Sequence, residues 1–268
     1  MPRRRRSRGF LPHSDWFRPA LRAWLAAPRA LRLAVGTLAV VALWAAANWT
    51  YQALRKPTEL LFPVSDTLVK TPSETWREYG PHFRKHATAV MTPELLAALA
   101  QIEASGNPLA RTYWRWQPAW HPFEIYRPAS SAVGMYQITD GTFAQARREC
   151  LPDARRSDDE GDDGPASCWF DGLYRRVVPS QAVELTSKLL DRAVATTLRR
   201  ERIRGATLAQ KQDLAAVIHL CGTGAGTAYA RHRFRPALEQ RCGDHDVHAY
   251  LARVQAMTRL FARLARAA

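Results

Sequence analysis

The chain has 268 residues, of which 47% are hydrophobic, so its composition excludes a disordered polar protein and allows one sizeable core. The formal net charge is +15, but residues 1–32 alone hold nine arginines and one acid and so carry +8 of it. Such an arm can bind nucleic acid, yet no recognisable nucleic-acid-binding module follows it. We therefore predict no nucleic-acid partner.

An apolar stretch follows the arm directly, and no charged residue occurs from Leu33 to Leu54. A helix needs about 20 largely apolar residues to cross a bilayer, so residues 33–54 are predicted to form a single transmembrane helix. Because positively charged flanks stay in the cytoplasm, residues 1–32 are predicted to be a cytoplasmic arm, and the bulk of the chain should lie outside it. A signal peptide cleaved near Ala45-Ala46-Ala47 is the competing interpretation, and the length of the arm disfavours it.

Four cysteines occur in the chain, at positions 150, 168, 221 and 242. An even number outside the cytoplasm favours disulfides, and four cysteines allow three pairings. Pairing of sequence neighbours, Cys150–Cys168 and Cys221–Cys242, would close two loops, and free buried thiols are the alternative. No CxxC spacing is present, so a zinc site is not predicted.

Residues 55–87 are rich in proline, show no sustained period, and are predicted to be a stalk with a short helix around Ser73 to Tyr79. Residues 88–268 are predicted to be one mostly α domain, because helical spacing of apolar residues recurs and strand alternation does not. Thr92-Pro93-Glu94 is typical of a helix start, and Ser105 to Pro108 of a helix end. Further helices are predicted after Thr139, over about 183–200, from Thr207 to Ile218, and over about 247–261.

Glu103 is the candidate catalytic residue. It lies four residues after Leu99 and seven after Leu96, so it shares their apolar face on a 3.6-residue period. An acid on that face, in the last turn of a helix, is costly to ionise and is expected to keep its proton. A protonated carboxyl is what a glycosidic leaving oxygen needs from a general acid. An ordinary helix-end glutamate turned to solvent is the alternative.

Four segments carry a family resemblance in the right order. These are LLAALAQIEASGNP at 95–108, SAVGMYQI at 131–138, AAVIHLCGTG at 215–224 and HAYLARV at 248–254. Together they resemble the lytic transglycosylases with the soluble-lytic-transglycosylase, goose-lysozyme-like fold, over about residues 88–260. The resemblance implies a lysozyme-like helical domain in the periplasm, held in the inner membrane by residues 33–54, that cleaves peptidoglycan glycan strands without a cofactor.

The resemblance also implies a set of substrate-binding residues around Glu103. Gly134 to Gln137 would form a turn beside the acid, with Gln137 and main-chain groups contacting the sugar. The full set implied is Ser105, Gly134, Met135, Tyr136, Gln137, His219 and Tyr250.

The chain departs from the family pattern in four places. Ala104 stands where the family has serine after the catalytic glutamate, and Ser105 comes one step later. Tyr136 replaces the usual methionine, and His219-Leu220 stand where tyrosine and asparagine are expected. His219 could replace that tyrosine or could be a buried core histidine. The link over 109–130 is longer than usual.

Residues 111–128 within that link are rich in aromatic side chains and are predicted to be an irregular loop. They include Tyr113, Trp114, Trp116, Trp120, Phe123 and Tyr126. Aromatic rings suit sugar faces, but most of these rings are expected to pack onto the core and one or two to meet glycan. Glu124 is the one acid among them and a possible second carboxylate.

The predicted reaction uses Glu103 alone as acid and base and ends in a 1,6-anhydro ring on N-acetylmuramic acid. A hydrolytic muramidase is the alternative enzyme, and it would need a second carboxylate from Glu124 or from the acidic run 158–163. A non-catalytic wall-binding or assembly scaffold is the alternative outside enzymes, and an envelope assembly complex is a possible partner. The acidic run fails the EF-hand pattern because its twelfth position is Phe170, so no metal site is predicted.

Overall fold

The computed structural model describes residues 22, 24–145, 175–237 and 239–267, and this part of the chain is mostly helical. The helices are α1 (Arg29–Arg55), α2 (Phe62–Ser65), α3 (Pro72–Lys85), α4 (Pro93–Ala104), α5 (Pro179–Arg200), α6 (Leu208–Arg231) and α7 (Val247–Ala267). The strands are β1 (Trp114–Trp116), β2 (Tyr126–Pro128), β3 (Arg241–Cys242) and β4 (His245–Asp246). The predicted Cys150–Cys168 pair and the acidic run 158–163 lie outside the described residues.

Helix α4 lies at the centre of the core. Thr92 begins it as predicted, since its side chain accepts a hydrogen bond from the Leu95 amide at 3.4 Å, and Pro93 occupies the first turn. All residues from Leu95 to Ala100 are buried, so the helix is covered on every side. Helices α3 and α7 pack against it, and its C-terminal end emerges between them and α6.

Helix α3 corrects the prediction of a stalk over residues 55–87. A capping box between Thr71 and Glu74 begins it, and it runs to Lys85, well beyond the short helix expected. Trp76, Tyr79 and Phe83 recur at helical spacing and are buried in the core. The segment is therefore part of the folded domain, and its prolines and Gly80 obscured an amphipathic pattern.

The connection from α1 to α3 is also packed rather than free. Two 3₁₀ turns, Pro57–Leu61 and Asp66–Leu68, flank α2. The Glu59 carboxylate is 1% exposed and accepts hydrogen bonds from Arg111 at 3.2 Å and from the Trp114 indole at 2.8 Å. A buried carboxylate must be paired, so these contacts fix the connection to the segment that leads into β1.

Residues 111–128, predicted to be an irregular loop, contain an antiparallel hairpin. Trp114 pairs with Pro128, and Trp116 pairs with Tyr126. The hairpin packs against the second half of α1 through stacked rings and hydrogen bonds. Trp44 stacks on Trp116 at 6.0 Å between ring centroids, and Tyr51 stacks on His121 at 5.7 Å. The side chains of Trp44, Asn48 and Gln52 donate to the carbonyls of Pro122, Tyr126 and Phe123.

Helix α6 begins with the predicted capping box of Thr207 and Gln210 and is broken at Gly222. Gly222 has φ +80° and ψ 172°, a conformation open mainly to glycine. Gly226, by contrast, stays helical. It lets the part of α6 after the break pack closely on Ile218 before the break, since a Cβ at position 226 would overlap the Ile218 side chain. The predicted Cys221–Cys242 disulfide is confirmed.

Helix α1 is long and apolar enough, by length and composition, to cross a membrane. Its apolar 18-residue window is not buried by the rest of the protein, and Leu33, Leu38 and Leu43 are exposed. Among the described residues, the contacts of the helix with the domain run from Trp44 onward, and Asn48, Gln52 and Ala53 are buried there. The helix thus has a bare apolar part and a part covered by the hairpin.

If α3 belongs to the core, Phe83→Ala should lower the free energy of unfolding by about 3–5 kcal/mol, the usual loss for a buried phenylalanine. Phe83 is fully buried, and Arg77 on the exposed face of the same helix supplies the control. Arg77→Ala should change stability by less than about 0.5 kcal/mol. Thermal unfolding of the full chain in detergent measures both, and equal melting temperatures would return this segment to a stalk.

Candidate active site

Three side chains from three helices meet at the C-terminal end of α4. Glu103 lies in the last turn of that helix, and its side chain is 18% exposed. The Tyr250 hydroxyl donates a hydrogen bond to Oε1 of Glu103 at 2.6 Å. His219 Nε2 lies 3.7 Å from the same oxygen. The carboxylate is therefore oriented on one side by α7 and α6, whose residues are far from it in sequence.

Tyr250 is positioned by the burial of α7 against α4. Its side chain is 1% exposed, and burial, followed by the charge of Glu103 and the hydrogen bond to it, raises the pKa of Tyr250 well above its usual value. The phenol therefore keeps its proton and acts as a permanent donor to the carboxyl. Tyr250 is therefore placed to hold the acid, and its contact with the sugar stays a prediction.

His219 is positioned by the break in α6. It lies three residues before Gly222, and its side chain is 13% exposed. Cys221 lies between them and is bonded to Cys242 in β3, and β4 leads directly into α7. The disulfide therefore connects the segment that carries His219 to the helix that carries Tyr250.

A second contact joins α6 to α7 beside the site. The Gln255 amide donates to the Asp213 carboxylate at 3.0 Å and 3.2 Å. Burial raises the pKa of Asp213, and the hydrogen bond from Gln255 opposes that rise. This contact and the disulfide fix the two helices together at separate points.

The two carboxyl oxygens of Glu103 have different surroundings. Oε1 accepts from Tyr250 and faces His219, whereas Oε2 makes no hydrogen bond or ion pair within the described residues. Oε2 is therefore the oxygen available to exchange a proton with a bound molecule. A partly exposed carboxyl with one oxygen fixed and the other open is suited to general acid and base catalysis.

A cavity of about 290 Å³ lies beside His219. It approaches the size of pockets that bind small molecules, roughly 300 Å³ and above. Gln137 and Thr223 contribute polar groups to its wall, and so does Thr186, whose buried hydroxyl has no hydrogen-bond partner within the described residues. Thr186 could not be predicted from the sequence, because a lone threonine within a helix gives no signal.

The predicted turn at Gly134 to Gln137 is present, closed by the Val133 and Ile138 bridge. Met135 and Tyr136 are fully buried, and the Tyr136 hydroxyl donates to the Leu96 carbonyl at 3.2 Å. Their side chains therefore pack the turn onto α4 and are not placed to contact a substrate. Gln137 lines the cavity, and its amide also donates to the Gly134 carbonyl at 2.9 Å.

Gly134 is required by its backbone conformation and by the packing around it. Its φ is +79°, and a Cβ would overlap the main-chain carbonyl of Arg176. The close approach is thus to the protein's own backbone rather than to a ligand. Ser105 ends α4 in the left-handed conformation, φ 50°, and its carbonyl accepts from the Lys70 amide at 2.9 Å. Within the described residues, its hydroxyl makes no hydrogen bond to Glu103.

The aromatic link and Glu124 belong to the hairpin on α1. Trp114 and Trp116 each contact Tyr126 there, and Tyr113, Trp116 and Trp120 are exposed. Glu124 pairs with Arg55 at 3.4 Å. The sequence could not indicate this placement, because the partner of the hairpin lies about 70 residues earlier in the chain.

Among the described residues, no cluster of three or more histidine, cysteine, aspartate or glutamate side chains could hold a metal ion. No family model, no curated protein and no solved structure matches the chain. The arrangement of Glu103, Tyr250 and His219 is therefore interpreted by its own chemistry.

Replacing both Cys221 and Cys242 with serine should lower the free energy of unfolding by about 3 kcal/mol, because the bond closes a loop of 21 residues in sequence separation. Thermal unfolding under oxidising conditions tests this. Addition of a reductant should lower the melting temperature of the wild type by more than that of the double variant, which keeps only the predicted Cys150–Cys168 pair. Equal stability of the two proteins would contradict a structural role for the bond.

Proposed function

We propose that this protein is a membrane-anchored lytic transglycosylase that cleaves the glycan strands of peptidoglycan, with a lysozyme-like helical domain and Glu103 as its catalytic acid and base. The observation that carries the proposal is the hydrogen bond of 2.6 Å from Tyr250 to Glu103. It joins two of the four segments that resemble the lytic transglycosylases. His219, from a third segment, lies 3.7 Å from the same carboxyl oxygen.

The proposed reaction begins with Glu103 carrying a proton on Oε2. That proton passes to the oxygen between N-acetylmuramic acid and N-acetylglucosamine, the bond from that oxygen to C1 of the muramic sugar breaks, and positive charge develops at C1. The carboxylate of Glu103 then takes the proton of the 6-hydroxyl of the same sugar. The 6-oxygen bonds to C1, the 1,6-anhydro ring closes, and Glu103 is protonated again.

Tyr250 and His219 act on this cycle through the acid. Because the phenol always donates to Oε1, it disfavours rotation of the carboxyl and leaves Oε2 toward the substrate. The hydrogen bond also stabilises the carboxylate formed after the first proton transfer. His219 lies beside the cavity and next to Oε1, so in this proposal it takes the place of the family tyrosine near the acid and the sugar.

The cavity beside His219 is the proposed sugar-binding surface. Gln137, Thr186 and Thr223 supply polar groups of the kind that bind hydroxyl and acetamido groups. The acids that hydrolysis would require receive no support as partners of Glu103. Glu124 is paired with Arg55, and residues 158–163 lie outside the described part of the chain.

The location in the cell rests on α1 and on the arm before it. We infer that α1 is retained as a single inner-membrane span, with the arginine-rich arm in the cytoplasm and the catalytic domain in the periplasm. Trp44 supports retention, because it lies before the possible cleavage site near Ala45 and stacks on Trp116 of the folded domain. Participation in an envelope assembly complex stays a prediction.

Glu103→Gln should reduce cleavage of purified peptidoglycan by at least about 100-fold, because an amide keeps the shape of the acid and cannot give up the proton. Mass spectrometry of wild-type digests should show 1,6-anhydromuramic ends. Glu94→Gln, at the other end of α4, is the matched control and should leave turnover unchanged.

Two results would overturn this assignment. Near-normal cleavage by a folded Glu103→Gln variant would remove Glu103 from catalysis, and inactivity of the wild type on every form of peptidoglycan would favour a scaffold. Reducing ends in the products, with Glu124→Gln as inactive as Glu103→Gln, would establish a hydrolytic muramidase instead.

Tyr250→Phe keeps the buried ring and removes the donor to Oε1. A hydrogen bond to a charged group contributes about 1.5–3 kcal/mol, so cleavage should fall by about 10- to 100-fold. The loss should appear in kcat more than in KM, because the hydroxyl donates to the acid. Tyr229→Phe, a buried tyrosine elsewhere on α6, should behave like the wild type, and equal activity of the two variants would exclude a role for the Tyr250 hydroxyl.

A further inference from the structure

The hairpin β1–β2 contacts α1 far below the end of that helix. Its lowest contacts are at Trp44, which stacks on Trp116 and donates to the Pro122 carbonyl. Trp44 is 12 residues after Arg32, the last charge of the arm, and a helix rises 1.5 Å per residue. The hairpin therefore begins to cover the helix about 18 Å from that charge.

A bilayer is thicker than this uncovered part of α1. The hydrocarbon core measures about 30 Å. Even if the Arg32 side chain reached the headgroups from one helical turn inside that core, the uncovered length of helix within the core would grow by only about 5 Å. Between Arg32 and Trp44 the helix is thus too short to span the lipid alone. If α1 crosses the membrane, the residues from Trp44 toward Gln52 must complete the crossing, and they bring the hairpin with them.

The contacts between α1 and the hairpin suit that depth. Irregular backbone is tolerated in a membrane only where the protein itself satisfies its polar groups. Trp44, Asn48 and Gln52 do this by donating to three carbonyls of the hairpin, and Asn48 and Gln52 are themselves buried by the contact. Polar side chains of a membrane helix are commonly satisfied by such contacts.

The outer surface of the hairpin has the composition of a membrane interface. Trp116 is 66% exposed and Trp120 is fully exposed, although both are large apolar rings. Arg115 lies between Trp114 and Trp116 and is exposed as well. Tryptophan is enriched at the boundary between headgroups and acyl chains, and arginine pairs there with lipid phosphates.

We infer that the hairpin is a lipid-binding element, which inserts Trp116 and Trp120 into the headgroup and acyl-chain boundary of the leaflet that faces the folded domain. The occupant of this aromatic surface is the bilayer, because the surface is continuous with the exposed apolar face of α1. The inference rests on α1 spanning the membrane and is independent of the chemistry of Glu103.

The test uses the full chain reconstituted into vesicles of phosphatidylethanolamine and phosphatidylglycerol. The photoreactive residue p-benzoylphenylalanine is placed singly at Leu38, Trp116, Trp120 or Leu208, and lipid adducts are measured by mass spectrometry after irradiation. Leu38 reports on the span, and Leu208, an exposed apolar residue at the start of α6, is the matched control. Adducts are expected at position 38 and at position 116 or 120, with only background at 208.

Each other outcome overturns the inference in a distinguishable way. Adducts at position 38 with background at both 116 and 120 would show that the hairpin lies clear of the lipid. Background at position 38 would remove the span and the hairpin proposal together, while leaving cleavage of peptidoglycan to be judged separately. Substitution at position 116 removes the stack on Trp44, so position 120 supplies a second measurement that keeps this stack. Thermal unfolding of each variant verifies its fold.

Discussion

The burial of the middle of α4 is the constraint on which the rest of the structure depends. Six successive residues, Leu95 to Ala100, are covered on all sides, so α3, α7 and the turn at Gly134 must each present an apolar surface to it. A helix fixed in this way cannot rotate or slide without opening a cavity in the core. Its last turn therefore holds Glu103 at a defined point, and α6 and α7 supply the groups that orient the carboxyl.

Much of the helical framework could be predicted from the sequence, because it is encoded locally. Two helix starts were indicated by only three or four residues each, and both begin helices in the structure. They are Thr92 with Pro93 and Thr207 with Gln210. The pairing of Cys221 with Cys242 followed from their proximity in sequence. The apolar length of α1 needed only a count of residues without charge.

What could not be predicted depends on contacts between distant parts of the chain. Tyr250 is 147 residues from Glu103, and nothing in its neighbourhood distinguishes a tyrosine that holds an acid from one that touches a sugar. Met135 and Tyr136 were assigned to the substrate by the family resemblance, yet both side chains are buried in the core. The hairpin could not be predicted, because strands of three residues show too little alternation of apolar and polar side chains to detect.

The packed connection between α1 and α3 has a consequence for reach. A flexible linker of some 30 residues would allow a tethered domain to wander roughly 30 Å from its attachment point. Here Glu59 and the hairpin join the end of α1 to the domain without such freedom. With α1 in a bilayer, Glu103 would work at a fixed height above the lipid surface. Under the proposed function, the enzyme would then cut only glycan that lies at that distance from the membrane.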